Sequence, residues 1–312
     1  MTTFTFAQLS DPHLTTLEGI DLGDLFNKRI LGYLSWRKHR RREHRREVLN
    51  ALIKDLRQKE PDHIVITGDL THLGLPLEFR MVQEWLKDLG PASRVTVIPG
   101  NHETYVPTPW EETFAHWTPY LLSDEPKRSA SQNGSIEAFP SVRLRGKAAF
   151  IGLSSAQPTF PFLATGRLDA AQLTKLQEIL DQLGEQKLFR VVLVHHPPLA
   201  GMVSWRKSLT NVGELEDVLS RCGAELVLHG HAHRSMLSYL SRPTQCIPVV
   251  GAPSASAVGK TSDRRACYHL FRMTEEQGAY DLVLNTYTYS PDDQGFHLEQ
   301  THHFPTIQCR QS

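Results

Sequence analysis

The chain has 312 residues, a 40% hydrophobic share and a formal net charge of zero. That apolar share fills a sizeable core, and the charge balance excludes a global pull toward nucleic acid or anionic membrane. Any such attraction must come from a local patch, and length alone does not decide between one domain and two.

The first residues, from Met1 to Leu14, carry neither the basic start nor the apolar stretch of a secretory signal, so the fold is expected to begin almost at Met1. No run approaches the roughly 18 apolar residues of a membrane span. The expected setting is cytoplasmic, or peripheral on the inner face of a membrane. Cys222, Cys246, Cys267 and Cys309 are scattered without a paired spacing, which reads as reduced thiols rather than a thiolate metal site.

Thr3 to Leu9 alternates and is rich in β-formers, so it predicts a strand running into Ser10-Asp11-Pro12-His13. After a basic stretch, Val48, Leu49, Leu52, Ile53 and Leu56 recur at helical spacing. The apolar run His63 to Thr67 ends in Gly68-Asp69. Pro76 opens a helix with Phe79, Val82, Trp85, Leu86 and Leu89 on one side, and Gly90-Pro91 stops it. Arg94 to Ile98 predicts a third strand, ending in Pro99-Gly100-Asn101-His102-Glu103.

The rhythm then repeats. Ala148 to Leu153 reads as a strand, and Asp169 to Leu183 as a helix with Leu173, Leu176, Ile179 and Leu180 inward. Phe189 to Val194 is a strand leading to His195-His196-Pro197-Pro198. Gly213 to Cys222 is helical, and Glu225 to Leu228 is a strand ending in His229-Gly230-His231-Ala232-His233. Beyond residue 235 the pattern is strand-like. No repeat or flexible linker interrupts it, so one domain over residues 1–312 is expected, with two packed sheets flanked by helices.

Five times an apolar strand ends and Asp, His or Asn follows. In open α/β sheets the loops at the carboxyl ends of strands converge on one crevice. Asp11, His13, Asp69, Asn101, His195, His231 and His233 can therefore meet. Asp11-x-His13 or Gly68-Asp69 alone would be an ordinary loop; all five motifs at successive strand ends are not. Carboxylate, imidazole and amide oxygen without thiolate suit Mn, Fe or Zn. Seven such groups exceed the roughly three or four protein ligands of a single zinc and fit two ions sharing a carboxylate, which can clamp an in-line displacement and acidify a bridging water.

The set Asp11-x-His13, Gly68-Asp69, Gly100-Asn101-His102-Glu103, His195-His196-Pro197-Pro198 and Gly230-His231-x-His233 resembles the calcineurin-like metallophosphoesterases, over roughly residues 4–240. The resemblance implies a four-layer α/β/β/α sandwich of two mixed sheets flanked by helices. It also implies Asp11, His13 and His233 on one divalent metal, Asn101, His195 and His231 on the other, and Asp69 bridging. A metal-bridging hydroxide would attack a phosphodiester or pyrophosphate. His102 is the implied catalytic residue, facing the scissile phosphate to protonate the leaving oxygen or stabilise charge. Glu103 stands where the family more often has Asp, and His196 is expected beside the ligands or at the substrate. His72 and His116 read as ordinary loop or helix residues, and His302-His303 as surface.

An apolar and basic insertion lies at about residues 20–46. Ile30, Leu31, Tyr33, Leu34 and Trp36 precede a run of arginines from Arg37 to Arg46. It reads as a solvated helix, as an element meeting anionic lipid through residues 26–46, or, with less support, as a contact to nucleic acid. The substrate expected is accordingly a small-molecule or lipid-linked phosphate ester. Compact chains with His-His-Pro-Pro resemble cyclic-nucleotide phosphodiesterases, and the insertion is similar to that of UDP-2,3-diacylglucosamine pyrophosphohydrolases. A nuclease and a non-catalytic binding scaffold are the remaining alternatives; no ligand is missing to favour the scaffold, and no GxSxG elbow favours a serine hydrolase.

Overall fold

A computed structural model describes residues 2–124, 138–242, 246–276 and 278–308. In chain order its elements are β1 (Thr2–Leu9), α1 (Arg29–Ser35), α2 (Arg41–Glu43), α3 (Arg46–Lys59), β2 (His63–Ile66), α4 (Pro76–Leu89), β3 (Val95–Val97), α5 (Thr118–Leu121), β4 (Ser141–Arg145) and β5 (Ala148–Gly152). There follow α6 (Ala170–Glu185), β6 (Phe189–Leu193), α7 (Val212–Cys222), β7 (Leu226–His229), β8 (Met236–Leu240), β9 (Ile247–Gly251), β10 (Cys267–Glu276), β11 (Ala279–Ser290) and β12 (Gly295–Gln308).

The strands form two six-stranded sheets, ordered β12-β11-β10-β1-β2-β3 and β4-β5-β6-β7-β9-β8. Each is mixed. β1, β2 and β3 run parallel, as do β5, β6, β7 and β9, while β10 to β12, β4 and β8 join antiparallel. The inner faces meet. Phe6, Val65, Ile98 and Phe271 of the first sheet share one cluster with Phe150, Val191, Leu193 and Leu228 of the second, the packing of two sheets face to face.

Alternation along the strands supplies the outer layers. Ala7 and Leu9 of β1 point away from Phe6 and pack with Leu49, Leu52 and Leu56 of α3 and Phe79, Val82 and Leu86 of α4. Ile151, Val192 and Val227 do the same against Leu176, Leu180, Leu215 and Leu219 of α6 and α7. The architecture is thus α/β/β/α, as the motifs imply. Asp169 caps α6 by accepting the Gln172 N–H at 2.7 Å, and Pro76 takes the first position of α4. Strand β4 has no clear signal in the sequence, and Ile179 is half-buried rather than fully inward. No disulfide joins Cys222, Cys246 and Cys267; Cys309 lies outside the described residues.

Backbone hydrogen bonds carry the sheets past the last strand residues into the loops. Asp11 N–H donates to Gly68 O at 2.9 Å, Gly230 N–H to His195 O at 3.1 Å, and Ala255 N–H to Ser10 O at 2.8 Å. Backbone therefore ties the Asp11 loop to the Gly68-Asp69 loop and the His195 loop to the Gly230 loop, while the Gly100–Glu103 loop is joined through the side chains of Asp69 and Glu103.

The insertion is a nearly unbroken helical excursion: α1, a wide π-helical turn over Trp36–Arg40, and α2. Arg29 clamps it, donating from Nε to Leu73 O at 3.0 Å and from Nη2 to Gly74 O at 2.6 Å. The apolar face expected from the sequence divides. Trp36, only 5% exposed, packs with Leu17, Leu25, Leu73 and Leu75, with Tyr33 beside them. Ile30, Leu31 and Leu34 stay exposed. Gly32 sets the close approach, because a Cβ there would lie 2.4 Å from Leu73 Cδ2 and 2.8 Å from Tyr105 Oη. Replacing Gly32 with Ala should lift α1 and destabilise the protein by about 1–3 kcal/mol through overpacking, seen as a lower midpoint in urea unfolding with unchanged slope.

Candidate metal centre

β1 delivers Asp11 and His13, β2 delivers Asp69, β3 Asn101, β6 His195, and β7 His231 and His233. Five of these seven have left-handed backbone: Asp11 (φ 48°), His13 (39°), Asp69 (57°), His231 (64°) and His233 (50°). Only nine non-glycine residues among those described do so. Such backbone costs about 1–3 kcal/mol per residue and collects at functional sites. Here it turns each side chain sharply inward from its strand. Gly100 permits a close passage, since a Cβ there would fall 2.2 Å from Asp69 Oδ1.

The seven side chains form two donor clusters with one shared member, and His44 makes a third group with His13 and His233. Asp11, His13, Asp69 and His233 place one ligand atom each within 4.8 Å of one another, and so do Asp69, His195 and His231. Asn101 joins the second, its Oδ1 lying 3.2 Å from His195 Nε2. The rings are aimed by backbone carbonyls: His13 Nδ1 lies 2.8 Å from Thr71 O and His195 Nδ1 2.7 Å from Thr67 O. A carbonyl only accepts, so Nδ1 carries the proton and Nε2 faces the cluster, the usual arrangement around a metal.

The donor set suits a divalent cation. Asp11 Oδ1, His13 Nε2 and His231 Nε2 are buried without a hydrogen-bond partner, a state costing about 1–3 kcal/mol per group if nothing compensates. Burial and the neighbouring His44 hold the His13 ring well below the usual histidine range, and burial with His196 does the same for His231, leaving neutral imidazoles that can ligate. Burial alone would neutralise Asp69, but His195 and His102 keep its carboxyl well below the usual range. His195 resists burial because Asp69 Oδ2 is 3.3 Å from its Nε2, and it is raised to about 10. The cluster calls for positive charge at that point.

Glu103 braces the loops. Its Oε2 accepts the N–H groups of Asp69 at 2.9 Å and Gly100 at 2.7 Å, and its Oε1 accepts Thr71 N–H at 2.9 Å. Burial and Asp69 push its carboxyl up to about 8 against these bonds. The longer side chain spans two motif loops, which accounts for a glutamate at this position.

His102 belongs to neither cluster. Its backbone N–H donates to Asp69 Oδ1 at 2.8 Å, and its Nδ1 lies 2.5 Å from His72 O. Its Nε2 is 2.9 Å from Arg40 Nη1. Burial, then Arg40, holds the ring down to about 4. His72, read from the sequence as an ordinary loop residue, is buried and stacks on His13 with ring centroids 5.2 Å apart. His196 points its Nδ1 at Ser155 Oγ, 2.8 Å away, and its ring sits 4.5 Å from that of His231. His116, His302 and His303 join no cluster.

Two site residues were missed from sequence, both in the basic run. Arg37, Lys38, Arg41, Arg42, Arg45 and Arg46 are exposed as expected, but Arg40 and His44 turn inward. Burial lowers the Arg40 guanidinium from its usual value, opposed by Tyr105, Asp69 and Asp11. The His44 ring lies 4.5 Å from that of His13 and 5.6 Å from that of His233. Its Nδ1 is 3.1 Å from both Ser254 Oγ and Ser256 Oγ, and Ser254 Oγ donates to Asp11 O at 2.6 Å. Nothing in the run marks these two among so many charges; only the widened turn at Trp36–Arg40 selects them, and that has no sequence signature.

Comparison with known proteins bears on the family and the fold. A probable cyclic nucleotide phosphodiesterase of Synechococcus sp. is 28% identical over 191 residues, covering 60% of this chain and 64% of that protein. A 3',5'-cyclic-nucleotide phosphodiesterase of Nostoc sp. is 29% identical over 211 residues, 64% of this chain and 69% of that one. The aligned region thus spans about two thirds of these relatives. Among solved structures, a dimetal phosphatase from Danio rerio superposes with a TM-score of 0.61 and 13% identity, covering 98% of this chain and 99% of that one. A purple acid phosphatase from yellow lupin gives 0.59 at 14% identity, covering 98% and 54%; at these identities the likeness is one of fold. The family model described as calcineurin-like phosphoesterase matches residues 4–235. The chain therefore belongs to the calcineurin-like phosphoesterase family.

Proposed function

We propose that the chain is a binuclear metal-dependent phosphodiesterase whose substrate is a small phosphodiester of the cyclic-nucleotide class. The observation that carries this reading is the pair of donor clusters sharing Asp69. Asp11, His13 and His233 would hold one ion, Asn101, His195 and His231 the other, and Asp69 both. Two ions of Mn, Fe or Zn bound there would supply Lewis-acid charge to a phosphoryl group and a water acidified to act near neutral pH.

The chain's own residues do the rest. Carbonyls of Thr71 and Thr67 fix the tautomers of His13 and His195, and Glu103 fixes the loops that carry Asp69 and Thr71. His102, tied to Asp69 through its backbone, stands beside the ligands without ligating. The substrate class is supported by the names of the Synechococcus and Nostoc relatives.

One observation favours a second reading, a lipid-linked pyrophosphate met at a membrane surface. Phe26, Ile30 and Leu34, 89%, 47% and 53% exposed, lie four residues apart beside the exposed cations Arg37 and Lys38. An apolar row flanked by cations suits an anionic interface. Among the described residues no helix is long and apolar enough to cross a membrane.

With Mn²⁺ added, the protein should cleave bis-p-nitrophenyl phosphate and a 3',5'-cyclic nucleotide faster than p-nitrophenyl phosphate. Cleavage of the monoester alone would refute the diesterase reading, whereas tight binding to anionic vesicles with hydrolysis only of a lipid-linked pyrophosphate would select the second. Asp69→Asn should lower the content of both metals, read by elemental analysis, and reduce turnover more than about 100-fold, since even outer-shell partners are worth 10–100-fold. His102→Ala should keep both metals and lose ~10²–10⁴-fold in rate; metal loss in that variant would show that it ligates.

A further inference from the structure

Arg40 is the one arginine of the basic run that turns toward the site and is half-buried there. A guanidinium is buried at a cost unless an anion compensates it. Its hydrogen-bond partner is a neutral acceptor: Nη1 lies 2.9 Å from His102 Nε2 and 3.3 Å from His102 Nδ1. Since His102 Nδ1 is 2.5 Å from the His72 carbonyl, it carries the ring proton, and only Nε2 accepts. His102 therefore shows the site no N–H from Nε2; the donor at that place belongs to Arg40. Among the described residues, Arg40 Nε and Nη2 have no protein hydrogen-bond partner.

The excursion holds this group firmly on both sides. Trp36, at the other end of the π-helical turn, is sunk among Leu17, Leu73 and Leu75. His44, four residues on, is tied to Ser254 and Ser256, and Val258 N–H donates to Glu43 O at 3.0 Å. The result is a positioned planar fork of donors next to the shared carboxylate. Such a fork matches two phosphate oxygens, and donors preorganised where charge develops act with little reorganisation.

Resting on the phosphodiesterase reading above, we infer that Arg40 grips the non-bridging oxygens of the scissile phosphate and that His102 acts as the positioning residue that holds it. The basic insertion is then part of the catalytic wall through this residue.

The test uses the full chain loaded with Mn²⁺, with two readouts: kinetics on bis-p-nitrophenyl phosphate, and calorimetric binding of inorganic phosphate. Arg40→Met should retain its metal and fold, bind phosphate about 10- to 100-fold more weakly, and lose kcat. Arg40→Lys should recover part of the binding, and Arg42→Ala, an exposed neighbour, should match the wild type. If His102 works through Arg40, the Arg40→Met/His102→Ala double variant will be no slower than the slower single variant. Multiplying penalties would give His102 a separate role and overturn the inference. So would phosphate binding at wild-type strength in Arg40→Met, or loss of metal in both Arg40 variants, which would make the arginine a structural strut. A wild-type protein inactive on every phosphodiester would defeat the proposed function instead, and phosphate binding would still decide the role of Arg40.

Discussion

Asp69 stands at the end of β2 with a left-handed backbone, φ 57°, and its two oxygens are divided between the halves of the site. Oδ1 takes the His102 N–H at 2.8 Å, and Oδ2 lies 3.3 Å from His195 Nε2, on a loop of the other sheet. A buried carboxylate is tolerable only when opposite charge or several donors surround it. This requirement draws the ends of β2, β3 and β6 together. Asp11 repeats it on a smaller scale, with Oδ2 accepting Ser10 Oγ at 2.6 Å and His231 N–H at 3.0 Å, while Oδ1 stays 3.1 Å from His233 Nε2.

These placements are unfavourable locally and depend on the packed sandwich around them. Left-handed backbone at five ligand positions and several unpartnered buried atoms would not survive in a mobile loop. They persist because the loops are continuations of two sheets whose shared core runs from Phe6 and Val65 to Phe150 and Leu228. Glu103 and Glu78 extend that rigidity outward. Glu78 accepts the backbone N–H groups of His72, Leu73 and Leu75 at 2.7, 2.9 and 3.0 Å, fixing the carbonyl of His72 to which His102 is tied. Rigidity passes from hydrophobic core to bracing carboxylates and then to the ligand atoms.

Much of this was legible in the sequence. The helical spacing of Val48, Leu49, Leu52, Ile53 and Leu56 and the strand runs before each motif reflect burial on one face, which is a local pattern. The meeting of the seven candidate residues was legible because strand ends converge in any such sheet. Arg40 and His44 were not, for a different reason. In a run where nearly every residue is charged, periodicity carries no information about which side faces inward. The selection comes from tertiary contacts with Leu73, Tyr105 and Ser254, remote in sequence. Trp36 shows the same limit: it looked like one of several interfacial apolar residues, and the structure separates it from Ile30 and Leu34 by burying it against Leu17 and Leu75.

The excursion leaves the first sheet just after His13 and returns to it at α3, so both of its ends are anchored beside the same cluster. Arg29 holds its start to Leu73 and Gly74, and His44 holds its end to the loop behind Asp11. Between these anchors the helix has little freedom, and a single inward cation can be presented repeatedly in one place. Two metal ions can serve many phosphate esters with the same ligands, because they act on the phosphoryl group that all such esters share. Discrimination must then come from groups placed around that common centre. In this protein Arg40 and His44 of the excursion are among such groups, so its basic character reflects two different constraints. The outward arginines are exposed, while Arg40 is half-buried and turned to His102, where the inference above gives it an anionic partner.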